Sequence, residues 1–174
     1  MTWSRALDKK ATGLAFALGL IAILGALGSQ ILGGLVPCEL CLEQRMAYYW
    51  GLPILAAILV LWNRIPLTVW YVVMALAVAI FAWGTYMGAY HAGVEWGFWP
   101  GPTACTGVTG TEMSFNDLTD INNAPKVVPC DVVQFRFLGI SLAGYNALVS
   151  TAVVVLLLVA IWWQWQNRKA KAVA

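Results

Sequence analysis

Four long stretches without an ionised side chain constrain this chain more than any other feature. They run from Ala11 to Pro37, Met46 to Asn63, Ile65 to Val94 and Phe137 to Asn167. A membrane-spanning helix needs about 20 mostly apolar residues, so each stretch can hold one such helix. Only 10% of the residues are charged, against about 25% in ordinary soluble domains. The pattern predicts an all-α membrane protein, a bundle of four transmembrane helices near residues 13–35, 44–62, 67–90 and 139–162.

Helices fit these stretches better than the strands of a barrel. In lipid, every backbone N–H and C=O group must be hydrogen-bonded internally, and a helix achieves this within one segment. A barrel strand alternates apolar and polar residues, whereas Ala152–Ala160 is apolar throughout. We therefore expect residues 1–174 to form a single integral membrane domain with two loops on one side, at about 36–43 and 92–137. The expected surroundings are a lipid bilayer, and no nucleic-acid partner is expected.

A cleaved signal peptide is the alternative interpretation of the first stretch. Arg5, Lys9 and Lys10 resemble the charged start of such a peptide, and Ala26-Leu27-Gly28 resembles a cleavage site. However, the uncharged run from Ala11 to Pro37 is much longer than the usual core of ~7–15 residues. We therefore expect this segment to be retained as a membrane span.

Basic residues give the orientation of the four predicted spans. One side of the membrane would hold Arg5, Lys9, Lys10, Arg64, Arg168, Lys169 and Lys171. Basic residues near the ends of spans stay in the cytoplasm. Both termini are therefore expected in the cytoplasm, and the two loops are expected to face outward, into the periplasm if the membrane is a bacterial inner membrane.

All four cysteines fall in the two outward segments. Cys38 and Cys41 lie in the short one, and Cys105 and Cys130 lie in the long one. Disulfides persist on the oxidising side of a membrane, so the cysteine positions agree with an orientation that was derived from charge alone. Two alternatives to redox chemistry remain open at this point, namely a pair of structural disulfides and a four-cysteine metal site.

The motif Cys38-Glu39-Leu40-Cys41 favours redox chemistry. A disulfide across two intervening residues closes too small a loop to stabilise a fold much, and close pairs of this kind are usually redox-active or metal-binding. Cys41 would lie at the start of the second span, where free N–H groups and the helix dipole stabilise a negative charge. Such a position lowers the pKa of a thiol. The pattern therefore predicts that Cys41 is a nucleophile or an electron donor.

Polar residues near this motif are candidate ligands for an electron acceptor. Arg45 follows Cys41 by one helical turn and lies on the same helix face, where its charge could stabilise a thiolate and bind a quinone carbonyl. Gln44 is a neighbouring uncharged donor. His91 lies near the outer end of the third span, and Glu95, one turn later, could orient it. Snorkelling of Arg45 into the headgroups and a solvated or helix-capping His91 are the competing interpretations.

These residues together resemble a known family. Cys38-x-x-Cys41-x-x-Gln44-Arg45 at the start of the second span is similar to the signature of the bacterial DsbB family. The segment from Tyr90 to Glu95, followed by Trp99-Pro100-Gly101-Pro102 and Cys105, resembles its second periplasmic loop. Cys130-Asp131 and the segment from Arg136 to Ser141 resemble the start of its last span. The resemblance covers about residues 30 to 150.

The resemblance implies a fold, a reaction and two partners. The fold would be a four-helix bundle. The soluble periplasmic oxidant DsbA, a thioredoxin-fold protein, would attack a Cys105–Cys130 disulfide, and Cys105 would form the mixed disulfide. Electrons would then pass to Cys38 and Cys41, with Cys130 and Cys38 as exchange partners. Cys41 would deliver them to ubiquinone or menaquinone from the membrane pool, with Arg45 at the quinone.

Three alternatives to this function remain. An enzyme similar to vitamin K epoxide reductase also joins a CxxC motif to a quinone, but there the motif lies in a late span. A non-enzymatic transporter or assembly factor with structural disulfides is the second alternative. A transporter would be expected to carry acids or bases in the middle of its spans, and we find none in the sequence. A metal-binding membrane protein is the third.

Overall fold

The computed structural model describes residues 4–102 and 128–173. It contains four long helices, α1 (Ser4–Ile31), α2 (Glu39–Val60), α3 (Leu67–Glu95) and α4 (Leu142–Val173). Two short strands, β1 (Arg136–Phe137) and β2 (Ile140–Ser141), precede α4. Each helix packs against its two neighbours in the cyclic order α1–α2–α3–α4. The mostly helical fold that the sequence predicts is confirmed.

Three helices are long and apolar enough to cross a membrane. Within the described ranges these segments are Leu7–Ile31, Leu67–Glu95 and Leu142–Arg168. Helix α2 does not reach the same apolar character because its first two turns carry Glu39, Glu43 and Arg45. The second span predicted at 44–62, and with it the count of four spans, stays a prediction.

The surface and the core of the helices are both apolar. Ile21, Val72 and Val155 are more than half exposed on three different helices, as expected where side chains contact lipid instead of water. Inside, the middle of the molecule is filled by a cluster that includes Leu55, Met74, Phe81, Val153 and Leu157. Buried polar side chains lie on both sides of this cluster: Asp8 and Thr12 toward one end of the helices, and Gln44 and His91 toward the other.

Glycines on α3 allow α2 and α4 to approach it closely. A Cβ atom on Gly88 would lie 2.7 Å from the backbone nitrogen of Ala147, and one on Gly84 would lie 2.9 Å from the Cβ atom of Ala47. Small residues four positions apart let helices pack backbone to backbone in a membrane. This close contact brings Asn146 and Ser150 of α4 to the interface with α2.

The start of α4 differs from the predicted span. Leu138 and Gly139 have φ values of 49° and 82°, which form the tight turn of a hairpin that joins β1 to β2. The helix therefore begins at Leu142 instead of near residue 139. The hydroxyl of Ser141 accepts a hydrogen bond from the backbone N–H of Gly144 at 3.2 Å, which caps the new helix.

Two other helix ends also differ from the predicted bounds. Helix α1 ends at Ile31 instead of near residue 35, because Gly34 adopts a φ of 66° and turns the chain toward α2. Helix α3 continues to Glu95, beyond the predicted end at residue 90, and so places His91 and Glu95 on its last turn.

Candidate functional site

The two cysteines of the CxxC motif lie at the first turn of α2. Cys38 is the N-cap residue, and its Sγ atom accepts a hydrogen bond from the backbone N–H of Cys41 at 3.3 Å. Both cysteines are free thiols, and their Sγ atoms are 2.6 Å apart. A disulfide between them therefore requires only a small movement of the side chains. The sequence placed the second span after this motif; in the structure the helix already begins at Glu39.

The two thiols of this pair are not equivalent. The pKa of Cys41 is lowered, chiefly because the Cys38 side chain hydrogen-bonds to it, while burial and the charge of Glu95 oppose this effect and Arg45 supports it. The pKa of Cys38 is raised, first by the same hydrogen bond to Cys41 and then by burial. Cys41 is therefore the cysteine of this pair that ionises more readily.

Cys130 lies beside this pair. It is 1% exposed and belongs to the buried cluster that also contains Cys38, Leu40, Met87 and Val94. Cys130 is disulfide-bonded. Cys105, its predicted partner in the sequence analysis, lies outside the described residues. Three of the four cysteines thus lie within the described residues, and all three are located near the same end of the helices.

The segment that carries Cys130 is attached to the segment before α2 by one side chain. The amide of Gln134 donates from Nε2 to the carbonyl oxygen of Val36 at 2.6 Å. Its Oε1 atom accepts from the backbone N–H of Val36 at 3.2 Å. This two-way contact imitates the pairing of two strands. It fixes the position of Cys130 relative to Cys38, two residues after Val36.

His91 lies between the cysteines. Its Nε2 atom is 3.2 Å from the carbonyl oxygen of Cys130 and 3.7 Å from the Sγ atom of Cys38. Its Nδ1 atom is 2.6 Å from the Nε2 atom of Gln44. His91 is 2% exposed and Gln44 is 5% exposed. The sequence predicted both residues as ligands of an electron acceptor, and the structure places His91 directly against Cys38.

A chain of polar side chains continues from Gln44 across to α4. Asn146 donates from Nδ2 to Oε1 of Gln44 at 2.6 Å. The hydroxyl of Tyr48 donates to Oδ1 of Asn146 at 2.5 Å and lies 3.0 Å from the hydroxyl of Ser150. Sequence reasoning missed Tyr48, Asn146 and Ser150. Their signal was present, since Asn146 and Ser150 are polar residues one turn apart within the last apolar stretch.

Glu95 has the position that the spacing predicts, one turn after His91. Its Oε1 atom is 4.0 Å from Nε2 of His91, and the hydroxyl of Ser141 hydrogen-bonds to its carboxylate. Glu95 therefore joins the end of α3 to the start of α4.

A cavity of about 180 Å³ opens next to Cys41. Its polar lining includes Cys41, Gln44, Arg45 and His91, and most of the remaining lining residues are apolar side chains of α1, of α4 and of the segment that joins α1 to α2. Glu95 does not line it.

Arg45 donates from Nη1 to Oε1 of Gln30 at 2.5 Å and from Nη2 to the carbonyl oxygen of Ala26 at 3.4 Å. Arg45 is thus held at the wall of the cavity by contacts with α1.

Three side chains could also hold a metal ion. The ligand atoms of Cys38, Cys41 and His91 lie within 4.8 Å of one another. Two thiolates and an imidazole suit zinc. This coordination needs both cysteines deprotonated, whereas a disulfide between them would remove both ligands.

Comparison with known proteins supports the family resemblance. The sequence model of the family described as disulfide bond formation protein DsbB matches residues 8–160, which is most of the chain. No curated protein and no solved structure gives a significant match. With its three strongly apolar helices and this family match, the chain belongs to the DsbB family of membrane-bound, disulfide-forming oxidoreductases.

Proposed function

We propose that this protein reoxidises a periplasmic dithiol protein and passes the electrons to a membrane quinone. The dithiol partner would be a thioredoxin-fold oxidant similar to DsbA. The protein would lie in a bacterial inner membrane, with both termini in the cytoplasm and the cysteines on the periplasmic side. The observation that carries this proposal is the position of Cys38 between Cys130 and the cavity that Cys41 lines.

Cys130 and Cys38 are suited to exchange a disulfide. They belong to the same buried cluster, and the same nitrogen atom of His91 faces the carbonyl oxygen of one and the sulfur of the other. Thiol–disulfide exchange proceeds by attack of a thiolate on a disulfide sulfur, which requires the sulfur atoms to approach each other directly. The cluster and the Gln134 contact keep the two segments together for this step.

The proposed exchange balances its electrons at each step. A thiolate of the partner attacks Cys105, breaks the Cys105–Cys130 bond and releases Cys130 as a thiolate. Cys130 then attacks Cys38, breaks a Cys38–Cys41 disulfide and releases Cys41 as a thiolate. The second thiol of the partner frees Cys105, which attacks Cys130 and releases Cys38. The partner is then oxidised, the Cys105–Cys130 bond is restored, and Cys38 and Cys41 hold two electrons.

The residues around the cavity fit a quinone. A quinone has two carbonyl acceptors on a flat ring and an apolar tail. Arg45 and Gln44 provide hydrogen-bond donors at the wall of the cavity, and apolar side chains such as Ile23 and Val149 provide the remaining surface. Bound ubiquinone or menaquinone would accept the two electrons that are released when Cys38 and Cys41 return to a disulfide, together with two protons that the cysteine pair and water supply between them. The pKa of Cys41 is lowered, which favours formation of its thiolate beside the cavity.

A quinone also supplies the driving force that the reaction needs. DsbA is a strong oxidant at about −120 mV, and about 30 mV corresponds to ~1.4 kcal/mol for two electrons. Reoxidation of such a partner therefore needs a strongly oxidising acceptor. A quinone pool that respiration keeps oxidised meets this need. Because quinone dissolves in lipid and the partner in water, a cysteine pair at the end of α2 is a suitable meeting point.

The test is quinone absorbance over time, with purified protein, a reduced DsbA-like dithiol protein and a soluble quinone analogue. We expect catalytic loss of oxidised quinone and its complete absence in Cys41→Ser, because no sulfur then lines the cavity. Normal turnover by a folded Cys41→Ser protein would refute the assignment.

A second variant tests the quinone site itself. Arg45→Ala should raise the apparent KM for quinone about tenfold, which corresponds to the loss of one charge-assisted hydrogen bond. Arg64→Ala, at the opposite end of α2, is the matched control and should leave the KM unchanged. An unchanged KM in Arg45→Ala would assign this residue to the headgroup region instead.

Zinc binding is a second candidate function, because Cys38, Cys41 and His91 bring three metal ligands together. The same preparations can decide between the two functions. Tight zinc binding by the reduced protein, together with no quinone reduction, would favour the metal site. Quinone reduction that is unaffected by a zinc chelator would favour the redox function.

A further inference from the structure

The proton of His91 has a defined place on its ring. The Nε2 atom faces three groups that accept hydrogen bonds, the carbonyl oxygen of Cys130, the sulfur of Cys38 and the carboxylate of Glu95. A backbone carbonyl can only accept. In the neutral ring one nitrogen donates and the other accepts, so these neighbours require the proton on Nε2. The Nδ1 atom must then accept, and it faces Gln44.

The amide of Gln44 meets this requirement only in one orientation. Its nitrogen donates to Nδ1 of His91, so its oxygen points the other way, toward Asn146. The nitrogen of Asn146 donates to that oxygen, and its own oxygen accepts the hydroxyl proton of Tyr48. The hydroxyl of Ser150 can donate to the oxygen of Tyr48 at 3.0 Å or to the same oxygen of Asn146 at 3.5 Å. Each of these hydrogen bonds joins one donor to one acceptor, and all of them run in the same direction along the chain.

Burial makes this direction matter. Tyr48 is 3% exposed and Ser150 is fully buried, so a lost partner of either hydroxyl could be replaced only by a group or a water molecule inside the cavity that Tyr48 lines. Reversal of one amide alone would set a donor against a donor on one side and an acceptor against an acceptor on the other, which is unfavourable in a buried network. The orientation of Gln44 is therefore coupled to Tyr48 of α2 and to Asn146 and Ser150 of α4.

We propose that Asn146, held by Tyr48, is a positioning residue that keeps the proton of His91 on Nε2 by fixing the amide of Gln44. The fixed proton points toward Cys38, where it stabilises the thiolate that forms when Cys105 displaces Cys38 from Cys130. The part of this proposal that concerns exchange rests on the proposed function. The part that concerns the tautomer does not.

A spectroscopic experiment measures the tautomer directly. His91 is the single histidine of the chain, so ¹⁵N-histidine labelling gives one imidazole, whose two nitrogen shifts distinguish a protonated from an unprotonated atom. The measurement uses the full-length protein in detergent, without dithiol partner or quinone. We expect the proton on Nε2 in the wild type. A proton on Nδ1 alone would overturn the proposal.

Two variants test the chain behind His91. Gln44→Glu replaces the donor to Nδ1 by a carboxylate of the same shape, so Nδ1 should become protonated. Asn146→Leu removes the group that orients Gln44, so the Nδ1–H form should appear beside the Nε2–H form. Thr151→Val is the matched control on α4, because the Thr151 hydroxyl is exposed and donates to the carbonyl of Ala147 in its own helix. It should give the wild-type spectrum.

The exchange rate provides the second readout. In quinone-free protein, a reduced DsbA-like partner is added and thiols are trapped by alkylation, so that transfer of electrons from Cys105 and Cys130 to Cys38 and Cys41 is followed by mass spectrometry. Asn146→Leu should slow this transfer about tenfold, the size of effect typical of groups that orient a reacting side chain. Tyr48→Phe should slow it less, and it replaces Asn146→Leu in both measurements if that variant does not fold.

The outcomes separate this proposal from the proposed function. An unchanged tautomer together with an unchanged exchange rate in Asn146→Leu, or in Tyr48→Phe if that variant is used, would overturn the positioning role. The expected shifts in a protein that reduces no quinone would uphold the positioning role and reject the quinone route.

Discussion

The two buried clusters of this protein are stabilised in different ways. The middle cluster, which includes Met74, Phe81 and Leu157, is held mainly by apolar packing, and its member Tyr48 also hydrogen-bonds to Asn146. The end cluster contains Cys38 and Cys130 and is bordered by the hydrogen bonds of His91, Gln44 and Asn146. Lipid is as apolar as the core, so packing in a membrane gains little from the hydrophobic effect. Directional bonds can therefore fix positions at the end cluster that apolar contact could not.

The difference between the clusters has a functional consequence. A thiolate and an exchanging disulfide need neighbours that stay in place while sulfur bonds break and form. Apolar packing tolerates a change of shape at moderate cost, whereas a buried hydrogen-bond network permits few arrangements. We expect damage to the middle cluster to affect stability first, and damage to the end cluster to affect the reaction first.

The largest expected effect is on stability, in the middle cluster. Leu157→Ala should lower the free energy of unfolding by about 2 kcal/mol, because it leaves a cavity in a fully buried position. The part of this cost that comes from transferring the leucine side chain out of the core is smaller than in a soluble protein, since lipid solvates leucine well. Leu158→Ala, at a half-exposed neighbouring position, is the control and should change the stability little. Denaturation in mixed detergent gives both values.

The same pair of variants also tests the functional side of the comparison. Quinone reduction per folded molecule should be equal in Leu157→Ala and Leu158→Ala. A much lower rate in Leu157→Ala, at equal folded fraction, would show that the two clusters are coupled.

A smaller effect is expected in the pH dependence of the cysteine pair. The pKa of Cys41 is lowered chiefly by the hydrogen bond from Cys38, so Cys38→Ala should raise it, while Cys38→Ser retains a hydroxyl donor and should raise it less. Cys41 should thus be alkylated at lower pH in Cys38→Ser than in Cys38→Ala. The rate of iodoacetamide trapping against pH, with Cys105 and Cys130 oxidised, measures both midpoints.

The charged neighbours of Cys41 are the same in both of these variants. The charge of Arg45 lowers the pKa of Cys41 and the charge of Glu95 raises it. Both charges are present in both variants, so they do not contribute to the difference between the two midpoints. Identical midpoints for Cys38→Ala and Cys38→Ser would mean that the helix end, and not the Cys38 side chain, stabilises the Cys41 thiolate.

The smallest effect is expected where the end cluster is attached to the surface. Gln134→Ala removes both hydrogen bonds to Val36, but these contacts are exposed to solvent and contribute less than buried ones. Transfer of electrons from Cys130 to Cys38 should slow about threefold, with little change in thermal stability. Gln134→Asn, whose shorter side chain keeps the amide, should recover part of the rate. A rate equal to wild type in Gln134→Ala would leave the buried cluster alone to position Cys130.

Local features of the site could be predicted from the sequence. A cysteine pair followed by Gln44 and Arg45 predicted a reactive thiol near a helix start and a donor one turn later, because these relations span less than two helical turns. The proximity of His91 and Glu95 could be predicted for the same reason, because the two residues are one helical turn apart. The helix ends were less accurate: Leu138 and Gly139 form a turn that shortened the last predicted span, because hydropathy does not register a change of backbone conformation.

The sequence by itself determined that this is a helical membrane protein with cysteine chemistry, because uncharged stretches and close cysteine spacing act over short distances along the chain. Only the tertiary structure decided that His91 lies against Cys38 and that Asn146, 102 residues from Gln44, orients its amide. It also decided that Gln134 attaches to Val36, 98 residues away. These contacts depend on how closely α2, α3 and α4 pack, and that closeness arises from small residues such as Gly88, whose partners lie on another helix.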